Sequence, residues 1–149
     1  MNISIKNLFC FTLFILMITA CSVEKPIEPN EVDKITLEII DRTELPEGIS
    51  YIIKLSNKSK HLIKQNNVYF SYPIKIENGS KGNEFKVEAK NNKLDIKPNE
   101  EILLNVFTPI EEYKGNNKIT ITECNLEIQG YIEEVKEINH FGKTIGIHF

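Results

Sequence analysis

The sequence predicts an all-β protein, an antiparallel sandwich of about seven strands. Apolar and polar residues alternate with a period of two over most of residues 34–149, which is the pattern of strands with one buried face. Turn-forming residues interrupt the alternation at regular intervals, as in the segment Leu45-Pro46-Glu47-Gly48. Short strands at such a spacing are typical of β-sandwiches. We therefore expect one β-sandwich domain over residues 34–149.

The first three predicted strands lie in the amino-terminal half of this domain. Their inward positions are Ile35, Leu37 and Ile39, then Ile49, Tyr51, Ile53 and Leu55, then Val68, Phe70, Tyr72, Ile74 and Ile76. Pro73 has no N–H to donate, so we expect its strand to be an edge strand or to carry a bulge there. Asn78-Gly79 follows, a pair favoured in hairpin turns because both residues tolerate positive φ.

The remaining strands are predicted in the second half. The fourth strand has Phe85, Val87 and Ala89 inward, and the fifth has Ile102, Leu104 and Val106 inward. Ile119 and Ile121 have odd numbers, whereas the next apolar residues, from Cys124 to Ile132, have even numbers. We therefore expect one long strand through this region with a bulge near residues 122–123. A loop around residues 139–142 and a final strand over residues 144–149 complete the domain. Residues 131–139 stay open between strand, loop and a short helix at 133–138.

The first 20 residues have the pattern of an export signal. Residues 8–20 are apolar except for Thr12 and Thr19, and Lys6 is the only charged side chain before them. This run is shorter than the roughly 20 residues that a membrane-spanning helix needs. With a basic lead and a small residue at its end, it is typical of a secretory signal. A buried N-terminal helix or a short anchor is the alternative.

The motif at the end of this run, Ile18-Thr19-Ala20-Cys21, resembles the lipobox of bacterial lipoproteins. The resemblance implies transfer of diacylglyceryl to the Cys21 thiol and cleavage after Ala20. It also implies a mature protein anchored at the extracytoplasmic face of the cell membrane, or in the outer membrane if the host is Gram-negative. Several acyl chains on one residue hold a protein durably, whereas one chain holds it only marginally.

Residues 21–33 are predicted to be a lipidated, extended tether. The segment contains Pro26 and Pro29 among acidic residues and has no apolar period. At about 3.1 Å per residue, the part after Cys21 would reach roughly 35–40 Å and lift the domain clear of the lipid headgroups. The predicted organisation is a signal peptide at 1–20, the tether at 21–33 and the domain at 34–149.

The strand layout over residues 34–149, with the turn Leu94-Asp95-Ile96-Lys97-Pro98-Asn99-Glu100-Glu101 before the fifth strand, resembles that of bacterial immunoglobulin-like domains. It is also similar in layout to the proteinase-inhibitor-like sandwiches of Bacillus. No inhibitory residue follows from this resemblance. An inhibitor would need a bait loop, for which residues 57–67 and 109–117 are the candidates.

Charge and cysteine content narrow the function classes. The chain has 18 basic and 21 acidic residues, and without the predicted signal its net charge is near −4. A nucleic-acid partner would favour a basic face, so we expect none. Cys124 is the one cysteine left after the signal and the lipidated Cys21. A lone cysteine in an apolar alternation is typical of a small core residue, and an exposed reactive thiol is the alternative.

No group of residues carries recognisable catalytic or metal-binding chemistry. His61, His140 and His148 lie far apart, and none has a second His or Cys at the spacing of a metal site. The acidic pairs at 111–112 and 133–134 lie outside any Asp- and Gly-rich calcium loop. We therefore expect no enzyme activity, no metal and no cofactor.

Four apolar residues fall on the strand face that should point away from the core: Ile40, Ile52, Leu103 and Phe107. If they are exposed together, they mark an interaction surface; if a second layer covers them, they belong to the packing. We expect a non-enzymatic binding or accessory module of the cell envelope, with an envelope protein or a wall component as partner. A proteinase inhibitor is the alternative function.

Overall fold

The computed structural model describes residues 27–149 and confirms an all-β antiparallel sandwich. Its nine strands are β1 (Ile35–Leu45), β2 (Gly48–Asn57), β3 (Ile63–Ser71), β4 (Ile74–Ile76), β5 (Gly79–Lys81), β6 (Val87–Glu88), β7 (Glu101–Pro109), β8 (Glu123–Ile132) and β9 (His140–His148). One short helix, α1 (Pro29–Asp33), precedes β1, and 3₁₀ turns occur at Ile110–Glu112 and Glu137–Asn139. The predicted signal, the cleavage position after Ala20 and the lipidation position Cys21 lie outside the described residues.

Seven strands form two sheets. The first sheet has the order β1-β2-β7 and the second has the order β6-β3-β8-β9, while β4 and β5 form a separate hairpin. The chain crosses to the second sheet between β2 and β3, returns to the first sheet at β7, and crosses again to reach β8 and β9. With β1, β2 and β7 facing β3, β8 and β9, the arrangement is that of immunoglobulin-like sandwiches.

The core lies between the two sheets and is built mainly from the inward rows that the alternation predicts; Ile76, also predicted inward, is 49% exposed in β4. Buried and partly exposed residues alternate along β8 without interruption. The fully buried side chains include Tyr51, Ile53, Leu55, Phe70, Leu104, Leu126 and Ile128. Each large apolar side chain removed from water in this way contributes about 1.5–3 kcal/mol. Cys124 is buried in the same core, as predicted, and burial raises the pKa of its thiol to about 12.

Pro73 ends a strand and does not interrupt one. β3 begins at Ile63, well before the predicted strand, and carries a bulge between Lys64 and Asn67. The chain leaves the second sheet after Ser71, and β4 pairs with β5 across a two-residue turn. The predicted edge strand or bulge at Pro73 is therefore wrong, because a residue that cannot donate to the ladder stops it.

The predicted fourth strand is reduced to the two residues of β6. Val87 and Glu88 pair with β3, and Ala89 is buried as predicted. Phe85, predicted to point inward, is 53% exposed. The Asn83 side-chain oxygen accepts a hydrogen bond from the Phe85 N–H at 3.0 Å, and this local turn replaces the strand pairing.

The change from odd to even apolar positions is absorbed by a turn, so the predicted bulge at residues 122–123 is wrong. Ile119 pairs with Ile74 of β4, residues 121–122 form a turn, and β8 then begins in unbroken register with β9. The region left open at 131–139 holds the end of β8, a loop and the 3₁₀ turn. β9 already begins at His140, so the predicted loop at 139–142 is also wrong. Phe149, predicted inward, is exposed and stacks on Tyr51.

The predicted extended tether is wrong for its last residues. Pro29 occupies the start of α1, where its fixed φ suits a helix and its missing N–H is no loss. Glu31 is only 3% exposed; its carboxylate accepts hydrogen bonds from the Lys34 ammonium at 2.6 Å and from the Lys60 backbone N–H at 3.2 Å. Ile27 and Val32 pack against the core. The described chain is therefore part of the folded domain from its first residues.

The two ends of the sandwich are formed by different segments. The N-terminal end consists of α1 with residues 58–62 and 133–139, which are joined by hydrogen bonds, and of residues 94–100, which bond with Asn57 and Ile63. The far end consists of the β4–β5 hairpin with residues 109–122. β1 runs from one end to the other, and its 11 residues span roughly 35 Å at the usual rise of a strand.

Candidate functional site

A chain of buried hydroxyl groups joins the two sheets near the far end. The Thr108 hydroxyl donates to the Ile49 carbonyl at 3.3 Å, and it therefore accepts from the Tyr72 hydroxyl at 3.0 Å. The Tyr72 oxygen in turn accepts from the Tyr51 hydroxyl at 2.7 Å. Each hydroxyl proton in the chain has an acceptor, as a buried polar group requires.

Burial raises the pKa of both phenols in this chain. For Tyr51, burial is the largest cause and the hydrogen bond to Tyr72 adds to it, while the neighbouring Arg42 acts in the opposite direction. A phenol with a raised pKa stays protonated at neutral pH. The two tyrosines therefore act as fixed dipoles, not as bases or nucleophiles.

Tyr72 also forms the floor of a cleft of about 320 Å³ at the far end. Half of its lining is apolar: Phe70, Tyr72, Ile74, Phe85, Val87 and Ile119. The polar lining residues are Ser71, Asn83, Thr108, Glu112, Asn116 and Lys118. An apolar concavity with a few polar groups is the usual composition of a binding site, and this volume lies near the lower limit of the usual range.

Two short turns shape the walls of the cleft. On one side, the Lys75 N–H donates to the Lys118 carbonyl at 2.7 Å, which docks β4 onto the segment after the 3₁₀ turn. The Asn116 side-chain oxygen accepts from the Lys118 N–H and orders that segment. On the other side, the turn at Asn83 carries Phe85 to the rim. The cleft lies beyond the end of β3, where the chain has left the second sheet. The neighbouring β6 is only two residues long and does not extend across it.

Aromatic packing supports the floor. The rings of Phe70 and Tyr72 meet edge to face with centroids 5.0 Å apart, and the Tyr51 ring lies 4.5 Å from Phe70. Tyr113 packs edge-on against Tyr72 at 5.8 Å. Such pairs contribute about 0.5–1.5 kcal/mol beyond the area they bury. The floor is therefore held from both sheets and from the connecting loop.

The four residues of the predicted interaction surface all lie on the outer face of the first sheet. Ile40, Leu103 and Phe107 are exposed and Ile52 is partly buried, so this face is open in the part of the chain that the structure describes. The register interleaves them with polar residues at Ser50, Lys54 and Asn105. The four side chains are therefore scattered among polar neighbours on this face.

Phe107 has a further contact on this face. A Cβ atom at Gly48 would lie 2.8 Å from the Phe107 ring and 2.3 Å from the Thr108 carbonyl oxygen. Only glycine leaves room for this close approach. Part of the Phe107 ring is therefore used within the fold, and the role of the surface stays a prediction.

The histidines stay apart in the structure. His61 Nδ1 lies 3.0 Å from a carboxylate oxygen of Glu133, while His148 is exposed and 3.8 Å from Glu123. His140 packs against the Tyr131 ring. Within residues 27–149, no three His, Cys, Asp or Glu side chains are arranged to hold a metal ion.

Neither segment considered as a bait loop stands free. Asn57 is fully buried, and its amide donates to the carbonyls of His61, Ile96 and Lys97 at 2.8–3.1 Å. Its side-chain oxygen accepts from the N–H and hydroxyl of Ser59, so residues 58–62 fold back onto the domain. The segment at 109–117 forms the 3₁₀ turn Ile110–Glu112 beside the cleft.

Sequence reasoning did not find the cleft. Its walls come from segments that are distant in the sequence, and the pairing of Ile74 with Ile119 has no local signal. The one available signal was the turn chemistry at Asn83, which ends the alternation before Phe85.

Comparison with known proteins adds little. No family model matches the chain, and no curated protein matches it. The X-ray structure of Northeast Structural Genomics Consortium target SoR45 is similar, with a TM-score of 0.35 and 17% identity over 77% of this chain and 83% of that chain. A likeness at this level supports no conclusion about family or function. Among residues 27–149, no helix has the length and apolar character needed to cross a bilayer.

Proposed function

We propose that this chain is a lipid-anchored, non-enzymatic binding module of the cell envelope, and that its ligand occupies the cleft at the far end. The anchor is supported by the lipobox Ile18-Thr19-Ala20-Cys21 after an apolar run. The binding role is carried by one observation, the cleft of about 320 Å³ with an apolar floor. The two phenols beneath it are neutral and hydrogen-bonded, which suits recognition rather than proton transfer.

The proposed location follows from the acylated cysteine. Cys21 would carry the acyl chains, and the domain would stand at the extracytoplasmic face of the cell membrane, or at the outer membrane in a Gram-negative host. The ligand we propose is a segment of an envelope protein that places an apolar side chain in the cleft. The rim groups Asn83, Asn116 and Lys118 would meet the polar atoms beside that side chain.

Site-specific photo-cross-linking in the cell tests this proposal. A benzophenone amino acid replaces Phe85 at the cleft rim in the full-length protein, and in a matched variant it replaces Leu103 on the outer face of the first sheet. Both side chains are more than half exposed, so the replacement should leave the fold intact. Each variant is also made with Cys21→Ala, which removes the proposed lipid attachment.

We expect position 85 to give one recurrent protein adduct that is lost with Cys21→Ala, and position 103 to give none. A recurrent adduct from position 103 alone would contradict the cleft and favour the outer-face surface of Ile40, Ile52, Leu103 and Phe107. Adducts to wall polymer at position 85 would replace the proposed protein ligand. An unchanged mass and membrane fraction for Cys21→Ala would contradict the anchor.

A further inference from the structure

Helix α1 is fastened to the last strand of the second sheet. The Lys143 ammonium, on β9, donates to the carbonyls of Val32, Asp33 and Ile35 at 3.4, 3.1 and 2.8 Å. Two of these carbonyls belong to the carboxyl-terminal turn of α1, where a cation is favoured by the helix dipole. The start of the described chain is thus bonded to the second sheet, and it also continues directly into β1 of the first sheet.

A second set of contacts joins the same helix to the loop between β8 and β9. Glu31 of α1 accepts a hydrogen bond from Lys60, and the next residue, His61, lies 3.0 Å from the Glu133 carboxylate. The backbone N–H of Glu133 donates to the Leu62 carbonyl at 2.8 Å, and its carboxylate accepts from the Leu62 N–H. Helix α1, residues 58–62 and residues 133–139 therefore form one connected end.

The loop at 133–139 exposes its apolar side chains. Val135 is 46% exposed and Ile138 is 53% exposed. Two of the loop's carboxylates are held by side-chain partners, Glu133 by a ring nitrogen of His61 and Glu134 by the Lys136 ammonium. Exposed apolar side chains in a loop with two of its carboxylates held in this way suit the boundary between lipid headgroups and acyl chains.

The length of chain between Cys21 and Ile27 limits how far this end can be from a lipid surface. The six residue steps between them span at most roughly 20 Å, even when fully extended. This is shorter than the sandwich, which is roughly 35 Å long along β1. Since Ile27 packs against the core beside α1, an anchor at Cys21 holds the N-terminal end nearest to the membrane.

From these observations we propose that the N-terminal end rests on the lipid surface, with Val135 and Ile138 inserted among the headgroups and the cleft facing away from the membrane. This inference rests on the proposed lipid anchor. It adds a second attachment, through protein side chains, and a fixed orientation of the domain.

Tryptophan fluorescence with brominated lipids tests the orientation. The chain contains no tryptophan, so each introduced indole reports alone. Full-length Ile138→Trp and Phe85→Trp proteins are produced in a lipoprotein-processing bacterium and reconstituted in phosphatidylethanolamine and phosphatidylglycerol vesicles. Val135→Trp is a second probe of the loop. We expect bromine on the acyl chains to quench about half of the emission at positions 135 and 138, since interfacial side chains lie about 5–10 Å into this boundary.

At position 85, on the far end, we expect the emission to remain essentially unquenched. Equal quenching at positions 85 and 138, or none at 135 and 138 in protein whose mass shows a diacylglyceryl group, would overturn the proposed orientation while leaving the anchor in place. Protein without that mass would overturn the proposed anchor itself, and with it this inference.

Discussion

The N-terminal end and the far end of the sandwich are closed by different kinds of interaction. At the N-terminal end, polar side chains bind backbone groups: the Asn57 amide and the Lys143 ammonium each reach three carbonyls. At the far end, aromatic rings and three linked hydroxyls support the floor of a cavity. Side-chain-to-backbone bonds fix loops in one position, whereas a supported apolar floor leaves space for another molecule.

This difference indicates how the two ends can be told apart by mutation. A polar group that satisfies several buried backbone groups should be costly to remove, because its partners are then left unpaired. Removing one hydroxyl from the aromatic floor should cost less, since the ring remains in place. Loss of an ionic contact close to water should lower the free energy of unfolding least.

The largest expected effect is that of Asn57→Ala. It removes a fully buried amide that serves the carbonyls of His61, Ile96 and Lys97. We expect the free energy of unfolding to fall by about 3 kcal/mol in urea titrations. The matched control is Asn78→Ala in the exposed turn of the β4–β5 hairpin, which should change it by less than about 0.5 kcal/mol. Equal losses for the two variants would remove the special role given to Asn57.

An intermediate effect is expected for Tyr72→Phe at the far end. The ring stays, but the Tyr51 hydroxyl loses its acceptor and Thr108 loses a donor, both in buried positions. We expect a loss of about 2 kcal/mol in unfolding free energy, with the cleft retained. Tyr69→Phe, on the outer side of β3, is the control. A loss as large as that of Asn57→Ala would mean that the two ends do not differ in this respect.

A smaller effect is expected for Lys143→Met, which keeps the apolar stem and deletes the ammonium. We expect a loss of about 1 kcal/mol, since the carbonyls at the end of α1 can still reach water. Amide hydrogen exchange should become faster in residues 28–34 but not in β8. Lys81→Met in the exposed β5 is the control, and faster exchange in both variants would count against a specific tie to α1.

The smallest expected effect concerns pH. The pKa of Glu31 is lowered, first by the hydrogen bond from the Lys34 side chain and then by that from the Lys60 backbone N–H. Its contribution to stability is therefore present above the usual carboxyl pKa and is lost as the pH falls through the lowered value. We expect wild-type protein to lose more unfolding free energy between pH 7 and pH 3 than Glu31→Gln. Glu28→Gln should lose as much as the wild type. If unfolding free energy depended on pH in the same way in all three proteins, the hydrogen bonds from Lys34 and Lys60 would not stabilise the ionised Glu31.

The strands of the core could be predicted from the sequence because their environment is two-sided. In β2 the inward residues Tyr51, Ile53 and Leu55 face the core while their neighbours face outward, and a slip of one residue would exchange the two faces. The β6 region could not be predicted in the same way. Phe85 continues the alternation in sequence, but the Asn83 side chain bonds its backbone and turns it outward.

The two ends of the sandwich were harder to predict than the core. The segment with Pro29 has the composition of an extended tether, but proline also suits the first turn of a helix, and only the packing of Val32 decides between them. The cleft depends on the meeting of β4 with Ile119, which is a tertiary contact without a sequence period. The lipobox is read from sequence alone, and it lies outside the described residues.

The direction of β1 has a mechanical consequence. This strand starts beside α1 and ends at the cleft end, and its antiparallel ladder with β2 includes ten pairs. A pull between a lipid anchor and a ligand held in the cleft would act along the strands. Ladder hydrogen bonds are perpendicular to the strands, so they would be sheared together and would not open one after another. The β1–β2 ladder would therefore resist this tension better than a force that peels the two strands apart from one end.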